Sequence, residues 1–373
     1  MKVLHINCDY MGSNSVHRVM INNISKFDID NYIFVPTYKK NIFSENTNVD
    51  IVRCFNKNDR FFYFYKQKKI LTTIIKQYNF SIIDCMHSYT LFTDGNIAYN
   101  LNKKYKIPYI VAIRDTDINV FLKYKKYLKP LARNIIKNAS RVLFLSHSYK
   151  NKISKLLYSD KYPFDEKTVI IPNGVDDFWL NNIYSNKSIT KKDNKLNIVY
   201  VGKINKRKNI ILTQKSLKKL RKSGMDISFT IAGDIDDIKV FKSIMKYNNT
   251  NYVGKMNKNE LLELYRKNDI FIMPSHTETF GITYVEAMSQ GLPVIYTKKQ
   301  GFDQQFDEGI VGYHVDDKKT ADVVDSINKI LLNYESISNN CIEKCKVFKW
   351  ELICKKYFKI YKEIIKNKKV KEW

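Results

Sequence analysis

The sequence has no run of about 18 uncharged apolar residues, the length that a helix needs to cross a bilayer. We therefore expect no transmembrane helix. The opening residues, 1–7 (MKVLHIN), lead directly into a strand pattern and contain neither the apolar h-region nor the cleavage site of a signal peptide. These two absences predict a cytoplasmic protein.

Cysteines are few and are not arranged as metal ligands. The six residues are Cys8, Cys54, Cys85, Cys341, Cys345 and Cys354, and no two of them form a Cys-x2-Cys pair. Cys341 and Cys345 lie four positions apart in a helical stretch, but no histidine cluster completes a zinc site. We interpret all six as ordinary reduced thiols, which are typical of the cytosol.

Acidic residues are also scarce: 37 Asp and Glu stand against 64 Lys and Arg, a formal net charge of +27. Such an excess can attract nucleic acid, an anionic membrane or nucleotide-linked substrates. Part of it can also be compositional, because the abundant Lys, Asn, Ile and Tyr have AT-rich codons. The 44% of apolar residues exclude a disordered chain, and 373 residues suffice for two α/β domains.

Strand and helix patterns alternate along the whole chain, which predicts mainly parallel sheets with helices on both faces. A polar stretch interrupts this alternation, and a new series begins at residue 196. We predict a first domain over 1–180, a linker over 181–195, a second domain over 196–350 and a C-terminal helix over 351–373. The apolar residues of 351–366 recur at helical spacing, which favours a helix packed on the protein body over one lying on a membrane.

The most informative segment is 275–295 (SHTETFGITYVEAMSQGLPVI), which combines two carboxylates, a turn and a short helix. Glu278 precedes the turn at Phe280-Gly281, a helix is predicted over 283–290, and Glu286 lies within it. The Gly291-Leu-Pro293 exit is typical of a helix end. Free amides at the helix N-terminus would form an anion site.

This segment resembles the Glu-x7-Glu motif of retaining glycosyltransferases of family 4 (glycosyl transferases group 1), which have the GT-B fold. The resemblance implies two Rossmann-like β/α/β domains facing a cleft, with the C-terminal helix crossing back to the first domain. Residues 1–180 would bind the acceptor, and 196–350 the nucleotide sugar. Glu278 would contact the donor sugar, and Glu286 the nucleotide ribose. The diphosphate would meet the turn at Phe280, Gly281, Ile282 and Thr283.

A second loop, 202–210 (GKINKRKNI), resembles the Gly-Arg-x4-Lys element of the same family, in which the cations neutralise the donor diphosphate. Gly202 begins the element, Lys203 replaces the arginine and Lys208 matches the lysine. Because lysine lacks the bidentate fork of arginine, Arg207 is a candidate to supply it. The alternative is a solvated lysine-rich loop.

Other glycine and carboxylate positions resemble family loops less closely. Residues 113–119 (IRDTDIN) are similar to a His-Gly-x-Asp loop that borders the donor sugar and the acceptor, so Asp117 is a candidate catalytic residue, with Arg114 in place of the histidine. Gly12 follows the first strand, in a loop that the resemblance implies would approach the diphosphate and the acceptor. Gly233 belongs to a partial Gly-x-Gly loop on the nucleotide side. Asp115-Thr-Asp117 matches the Asp-x-Asp motif of metal-dependent transferases, but it lies far in sequence from the donor elements.

The resemblance implies a retaining, metal-independent hexosyltransferase without a cofactor. It would move a sugar from a UDP- or GDP-sugar to a glycan or lipid-linked acceptor in capsule- or O-antigen-type polysaccharide or glycolipid biosynthesis. Fixed cations and helix amides would stabilise the charge that grows on the departing diphosphate. The alternatives are a GT-B relative such as a nucleotide-sugar epimerase, or a non-enzymatic basic protein that binds membrane or nucleic acid.

One segment combines aromatic and basic residues without matching a family motif. Residues 121–129 (FLKYKKYLK) suit a solvated helix face with buried aromatics, a single-strand nucleic-acid site or a site on anionic membranes. Between the two binding interpretations we favour the membrane, because the transferase motif is in the same chain and we expect no nucleic-acid partner. The protein would then be peripheral on the cytoplasmic membrane face.

Overall fold

The computed structural model describes residues 1–12, 16–40, 48–159, 163–185 and 195–371, of which 369–371 are described by backbone alone. Most of the predicted linker, residues 186–194, lies outside the described residues. The chain packs as two compact units. The first comprises Met1–Leu145, Tyr149–Pro172 and Trp350–Trp373, and the second comprises Ser146–Ser148 and Asn173–Lys349.

Each unit contains one sheet whose described strands all pair in parallel. The strands are β1 Lys2–Ile6, β2 Asp30–Thr37, β3 Val49–Arg53, β4 Cys85–Ser88, β5 Tyr109–Ile113, β6 Arg141–Phe144, β7 Thr168–Ile170, β8 Lys195–Val201, β9 Asp226–Ala232, β10 Thr250–Tyr252, β11 Ile270–Ile272, β12 Val294–Thr297 and β13 Gly312–Val315. Their order is β3-β2-β1-β4-β5-β6-β7 in the first unit and β10-β9-β8-β11-β12-β13 in the second.

Helices connect these strands, as the alternating pattern predicts. The helices are α1 Val16–Ile24, α2 Tyr63–Gln77, α3 Gly95–Tyr105, α4 Lys129–Asn138, α5 His147–Tyr158, α6 Asp177–Asn181, α7 Ile210–Lys222, α8 Ile238–Ile244, α9 Lys258–Arg266, α10 Ile282–Ser289, α11 Thr320–Leu332, α12 Tyr334–Cys345 and α13 Trp350–Lys371. The predicted α/β class is confirmed.

The strand order of the second sheet reverses beside β8, which lies between β9 and β11. Ile198 of β8 pairs with Ile270 of β11, so the two strands run side by side in register. In open parallel sheets, ligands bind beyond the carboxyl ends of the strands at such a reversal. The loops after β8 and β11 are therefore the place where a site is expected, and they carry the two family motifs.

Helix α13 completes the core of the first unit. Its apolar side chains, which include Ile353, Tyr357, Ile360 and Ile364, are buried in one cluster with residues of β1, α1 and β2. The hydroxyl of Tyr361 lies 2.6 Å from Nδ1 of buried His87. The predicted return of the C-terminal helix to the first domain is confirmed, and the alternative of a helix lying on a membrane is wrong because its apolar face is buried.

Some predicted elements differ from the structure. The short strands β3 and β13 were not predicted, because each alternates only weakly between apolar and polar residues. Residues 117–122 form a π-helical turn and 126–128 a 3-10 turn. Tyr124 and Tyr127 are exposed, so the interpretation of 121–129 as a helix face with buried aromatics is wrong for these two residues. No helix in the described ranges is both long and apolar enough to cross a bilayer.

Candidate active site

The loop after β8 is shaped by two asparagines. The side-chain oxygen of Asn205 accepts a hydrogen bond from the backbone amide of Lys208 (3.2 Å) and so caps a 3-10 turn over 206–208. Asn209 has a φ of 53°, which asparagine tolerates. Its side-chain amide donates to the carbonyl of Pro274 (3.0 Å), in the loop after β11. The two motif loops are therefore tied together.

Lys208 and Glu278 form an ion pair within this junction. The Lys208 ammonium donates to Oε2 of Glu278 at 2.5 Å, and the two side chains are 11% and 9% exposed. The same ammonium lies 3.3 Å from the Met273 sulfur, and the Ser275 hydroxyl donates to Glu278 Oε2 at 3.4 Å. Residues that lie 70 positions apart in the sequence thus form one charged centre.

Arg207 supports the same centre from the rim. Its Nη1 donates to the carbonyl of Thr277 (2.9 Å), while its own carbonyl accepts from the amide of His276 (2.8 Å). Lys203 and Lys206 are exposed. The loop therefore presents several cations, of which Lys208 is buried against the carboxylate and Arg207 holds the neighbouring chain.

Gly281 begins helix α10 with a φ of 79°, a conformation that favours glycine. A Cβ at this position would lie 2.4 Å from the Tyr284 ring and 3.3 Å from Cγ of Glu278. The chain therefore turns closely against the carboxylate. The first amides of α10, those of Ile282 and Thr283, have no intrahelical acceptor and carry the positive end of the helix dipole.

The side chain of Phe280 belongs to a buried aromatic cluster. Its side chain is 1% exposed and packs against Phe302 and Phe348, with ring centroids 6.0 and 5.6 Å away. The predicted ligand contact at position 280 can therefore come only from the main chain. The aromatic cluster anchors the turn before α10.

Gly202 and Gly233 bring the ends of β8 and β9 together. Gly233 has a φ of 137°, and a Cβ on it would lie 2.0 Å from the carbonyl oxygen of Gly202. A Cβ on Gly202 would lie 3.9 Å from Cε of Lys208. The two predicted glycines thus line the same loop junction as the ion pair.

Glu286 faces another part of the second unit. It is half-buried in α10, and the Tyr265 hydroxyl donates to its Oε2 at 3.3 Å. Burial raises the pKa of Glu286 to about 7, although the bond from Tyr265 opposes this rise. The carboxyl group is therefore partly protonated near neutral pH and can both donate and accept hydrogen bonds.

Asp117, in the first unit, is held by backbone amides. Its carboxylate accepts from the amides of Leu91 (3.0 Å), Phe92 (3.2 Å) and Arg114 (3.0 Å), and the residue is 1% exposed. Burial raises its pKa to about 6. The observed contacts fix the loops after β4 and β5, and the predicted catalytic contact of Asp117 stays a prediction.

Gly12 lies in the first unit, in the loop after β1. Its amide donates to the carbonyl of Asp9 at 3.1 Å, which closes a turn, and a Cβ would lie 3.3 Å from that oxygen. Residues 13–15 of the predicted loop lie outside the described part. The predicted contact of Gly12 with donor or acceptor stays a prediction.

Two residues that support the backbone of Glu278 were not predicted. The side-chain oxygen of Gln300 accepts from the Glu278 amide (3.2 Å), and the Gly301 amide donates to the Glu278 carbonyl (3.0 Å). A Cβ on Gly301 would lie 1.8 Å from the Thr279 oxygen. The sequence did contain one signal for this contact. Gly301 follows β12, the strand beside β11, and a glycine in such a place indicates that another backbone segment approaches closely.

A further cluster, Asp303, Glu308 and His314, has ligand atoms within 4.8 Å of one another and is the one group in the described ranges that could hold a metal ion. Nδ1 of His314 lies 3.0 Å from both carboxylates. Hydrogen bonds to Asp303 and Glu308 raise the pKa of His314 to about 9. The protonated imidazole therefore offsets the negative charge of the two carboxylates. The metal-independent reaction stays a prediction.

Profiles of two protein families match nearly the whole chain. Glycosyltransferase Family 4 matches residues 12–177, and Glycosyl transferases group 1 matches residues 184–347, which includes both motif loops. The chain is a member of the group 1, family 4 type glycosyltransferases, so this resemblance is confirmed. The transferase class also displaces the two alternatives, an epimerase and a non-enzymatic binding protein.

The sequences of individual glycosyltransferases are similar to this chain over most of its length. An uncharacterized glycosyltransferase of Methanocaldococcus jannaschii is 25% identical over 98% of this chain and 99% of its own length. The alpha-monoglucosyldiacylglycerol synthase of Acholeplasma laidlawii is 26% identical, over 77% of each chain.

Solved structures support the fold. Sucrose-phosphate synthase from Thermosynechococcus elongatus has a TM-score of 0.74 at 16% identity, with 98% of this chain and 100% of that chain covered. HepE of Anabaena, in complex with UDP and glucose, has a TM-score of 0.67 at 16% identity, with 97% and 100% covered. The GT-B fold is confirmed.

Proposed function

We propose that the second unit binds a nucleotide sugar and that the protein transfers the sugar, with retention of configuration and without a divalent metal, to an acceptor hydroxyl. The observation that carries this proposal is the buried Lys208–Glu278 ion pair beside the N-terminus of α10. The binding of UDP and glucose by the structurally similar HepE supports a UDP-sugar as the donor class.

The diphosphate would lie against the cations of the loop after β8. An ammonium has three N–H donors. Lys208 directs one at Glu278 and one toward the Met273 sulfur, which leaves one for a phosphate oxygen. Arg207, Lys203 and the first amides of α10 would add donors. The same groups bind the leaving diphosphate more strongly as its charge increases, so they favour the transition state.

Glu278 would hold the donor sugar by accepting hydrogen bonds from its hydroxyls. The salt bridge to Lys208 and the Ser275 hydroxyl hold this carboxylate, while Gln300 and Gly301 fix the backbone of Glu278 through its amide and carbonyl. Glu286, with its pKa of about 7, would bond the ribose hydroxyls. Neither residue needs to form a covalent intermediate in this proposal.

The bond changes can be written for direct transfer. The anomeric C–O bond to the diphosphate breaks, and its electron pair stays on the phosphate oxygen. The acceptor oxygen bonds the same face of the anomeric carbon, and its proton passes to the departing phosphate oxygen. No oxidant or cofactor is needed for this balance.

The acceptor would bind to the first unit, where Gly12 and the loop ordered by Asp117 follow neighbouring strands. We propose a surface polysaccharide or glycolipid acceptor, of the capsule or O-antigen type. The name of the relative from Acholeplasma laidlawii, alpha-monoglucosyldiacylglycerol synthase, supports the glycolipid class. A cytoplasmic location belongs to this proposal, because all six cysteines are free thiols.

A ligand screen tests the donor site. Nucleoside diphosphates and their sugars, each with and without EDTA, would be compared by thermal shift, because a bound ligand raises the melting temperature by mass action. We expect one diphosphate class to stabilise the protein in both conditions, and NMR of the product to show the anomeric configuration of the donor. Stabilisation only with a divalent metal, or an inverted product, would contradict the proposal.

A further inference from the structure

Large aromatic side chains of the first unit point into solvent near the start of α2. Phe61 is 80% exposed, Phe62 68%, Phe64 60% and Tyr65 54%. Single exposed apolar residues are ordinary on protein surfaces, but four in five consecutive positions are not. Their exposure is also unrelated to the donor site, which lies in the second unit.

A second exposed pair belongs to the same surface. Tyr124 and Tyr127, between β5 and α4, are 70% and 61% exposed. The ring of Tyr127 lies 6.4 Å from that of Phe64, and the ring of Phe121 lies 6.2 Å from that of Tyr63. Segments 57–69 and 120–129 are therefore adjacent, and we call their exposed face the aromatic–basic surface.

Positive charge surrounds these rings. The two segments contain nine lysines or arginines and one carboxylate, Asp59. Asp59 is paired with Lys69 at 2.7 Å, so it does not offset the remaining cations. The ammonium groups of Lys69 and Lys123 lie over the rings of Tyr65 and Tyr124, at 4.3 and 5.1 Å from the ring centroids. Apolar rings and cations thus alternate on one face.

We propose that the aromatic–basic surface binds the first unit to an anionic lipid membrane. Aromatic rings favour the headgroup boundary of a bilayer, and nearby lysines are attracted to anionic headgroups. Single-stranded nucleic acid uses stacking aromatics that line a basic groove. Here the rings project from the surface, with Phe61 in solvent over most of its area, and three of the six are phenylalanines without a polar group.

Vesicle sedimentation tests the lipid proposal directly. Full-length protein is mixed with phosphatidylcholine vesicles that contain either no phosphatidylglycerol or about a third of it. We expect binding to the anionic vesicles to be at least about tenfold tighter and to weaken with salt, because exposed charges are screened. Equal binding to both vesicles would overturn the proposal.

Removing the rings tests the apolar contribution. The variant Phe61→Ser, Phe62→Ser, Phe64→Ser should bind anionic vesicles at least about tenfold more weakly, since the apolar ring area that the bilayer would bury is lost. Leu332→Ser is the control, because Leu332 is 81% exposed on α11 of the second unit. A loss in the control equal to that in the triple variant would contradict a specific surface.

Removing charge tests the headgroup contribution with a matched pair of triple variants. Both replace three exposed lysines by glutamine. The test variant changes Lys68, Lys123 and Lys126, and the control variant changes Lys215, Lys218 and Lys222 of α7. Each lysine near an anionic surface contributes about fivefold in affinity, so the test variant should lose at least about tenfold and the control much less. Equal losses would show only a net-charge effect and overturn the proposal.

Two further readouts keep the outcomes distinct. If the protein bound single-stranded RNA more tightly than anionic vesicles, and the ring variant lost that binding, the partner of the surface would be nucleic acid and the lipid proposal would be overturned. If wild type formed a dimer in sedimentation velocity and the ring variant did not, the surface would be an interface with a second copy of the chain, and the lipid proposal would be overturned. Thermal stabilisation by a nucleoside diphosphate should be unchanged in every variant, so failure of the lipid proposal leaves the proposed function standing.

Discussion

The Lys208 ammonium and the Glu278 carboxylate meet at 2.5 Å in a nearly buried position, although they follow different strands of the second sheet. Because β8 and β11 are neighbours where the strand order reverses, their loops emerge together. The pair therefore follows from the topology, and each of its partners belongs to a separate family motif that can be recognised in the sequence.

Breaking this ion pair should affect stability and turnover separately. Lys208→Met or Glu278→Gln alone removes one partner of a nearly buried pair, and we expect a loss of about 3 kcal/mol in the free energy of unfolding. The double variant Lys208→Met, Glu278→Leu should regain much of that loss, because no charge is left unpaired. Chemical denaturation measures both.

Sugar transfer should not return with stability. All three variants should lose at least about a hundredfold in kcat/KM, since the charged groups act on the donor in the proposed reaction. A double variant that is both stable and active would remove the ion pair from the mechanism.

The turn before α10 should tolerate no side chain at Gly281. Gly281 and Gly254 have nearly equal φ values, 79° and 78°, but a Cβ at Gly281 meets the Tyr284 ring at 2.4 Å, whereas a Cβ at Gly254 meets nothing within 4 Å. Gly281→Ala should therefore weaken nucleoside-diphosphate binding about tenfold or more. Gly254→Ala carries the same backbone strain and should leave the affinity unchanged. Titration calorimetry compares the two, and equal affinities would contradict a close turn.

His314 should make stability depend on pH in alkaline solution. Its pKa is raised to about 9 by Asp303 and Glu308, against 6.5 in the unfolded chain. The folded state therefore holds the proton more tightly, and its stabilising effect is complete below pH 6.5 and is lost as the pH rises through 9. Melting temperatures of wild type should fall more steeply over this window than those of His314→Gln. Parallel curves would show that the imidazole is not protonated in the folded state.

Helix α13 should depend on a single buried hydroxyl. The Tyr361 hydroxyl is the partner of Nδ1 of His87, whose Nε2 has no hydrogen-bond partner in the described part of the chain. Tyr361→Phe would leave the buried ring without either bond, so we expect a loss of about 1–3 kcal/mol in unfolding free energy. Tyr99→Phe, at a half-buried position in the same unit, should cost much less. Similar losses in the two variants would mean that the bond between the Tyr361 hydroxyl and His87 does not contribute specifically to stability.

The sequence predicts the fold well because the apolar strands and amphipathic helices alternate with clear boundaries. It also predicts Lys208 and Glu278, since each belongs to a motif that follows a strand. It does not predict their direct contact, because strand order is a property of long-range pairing. Gln300 and Gly301 were missed for the same reason, as they reach Glu278 from the loop after a third strand.

Surface exposure was harder to anticipate. The sequence of 121–129 allowed either buried or exposed aromatics, and only the packing beside α2 shows that Tyr124 and Tyr127 face solvent. The carboxylate of Asp117 gave a similar ambiguity. Its sequence context suggested a substrate contact, whereas three backbone amides surround it in the structure.

We propose that the Lys208–Glu278 centre binds and activates a nucleotide sugar. The most direct test is the release of nucleoside diphosphate from a panel of UDP- and GDP-sugars, measured for wild type and for Lys208→Met with an acceptor extract present. We expect release from one donor class by wild type and at least about a hundredfold slower release by the variant. Equal rates for the two proteins would contradict it.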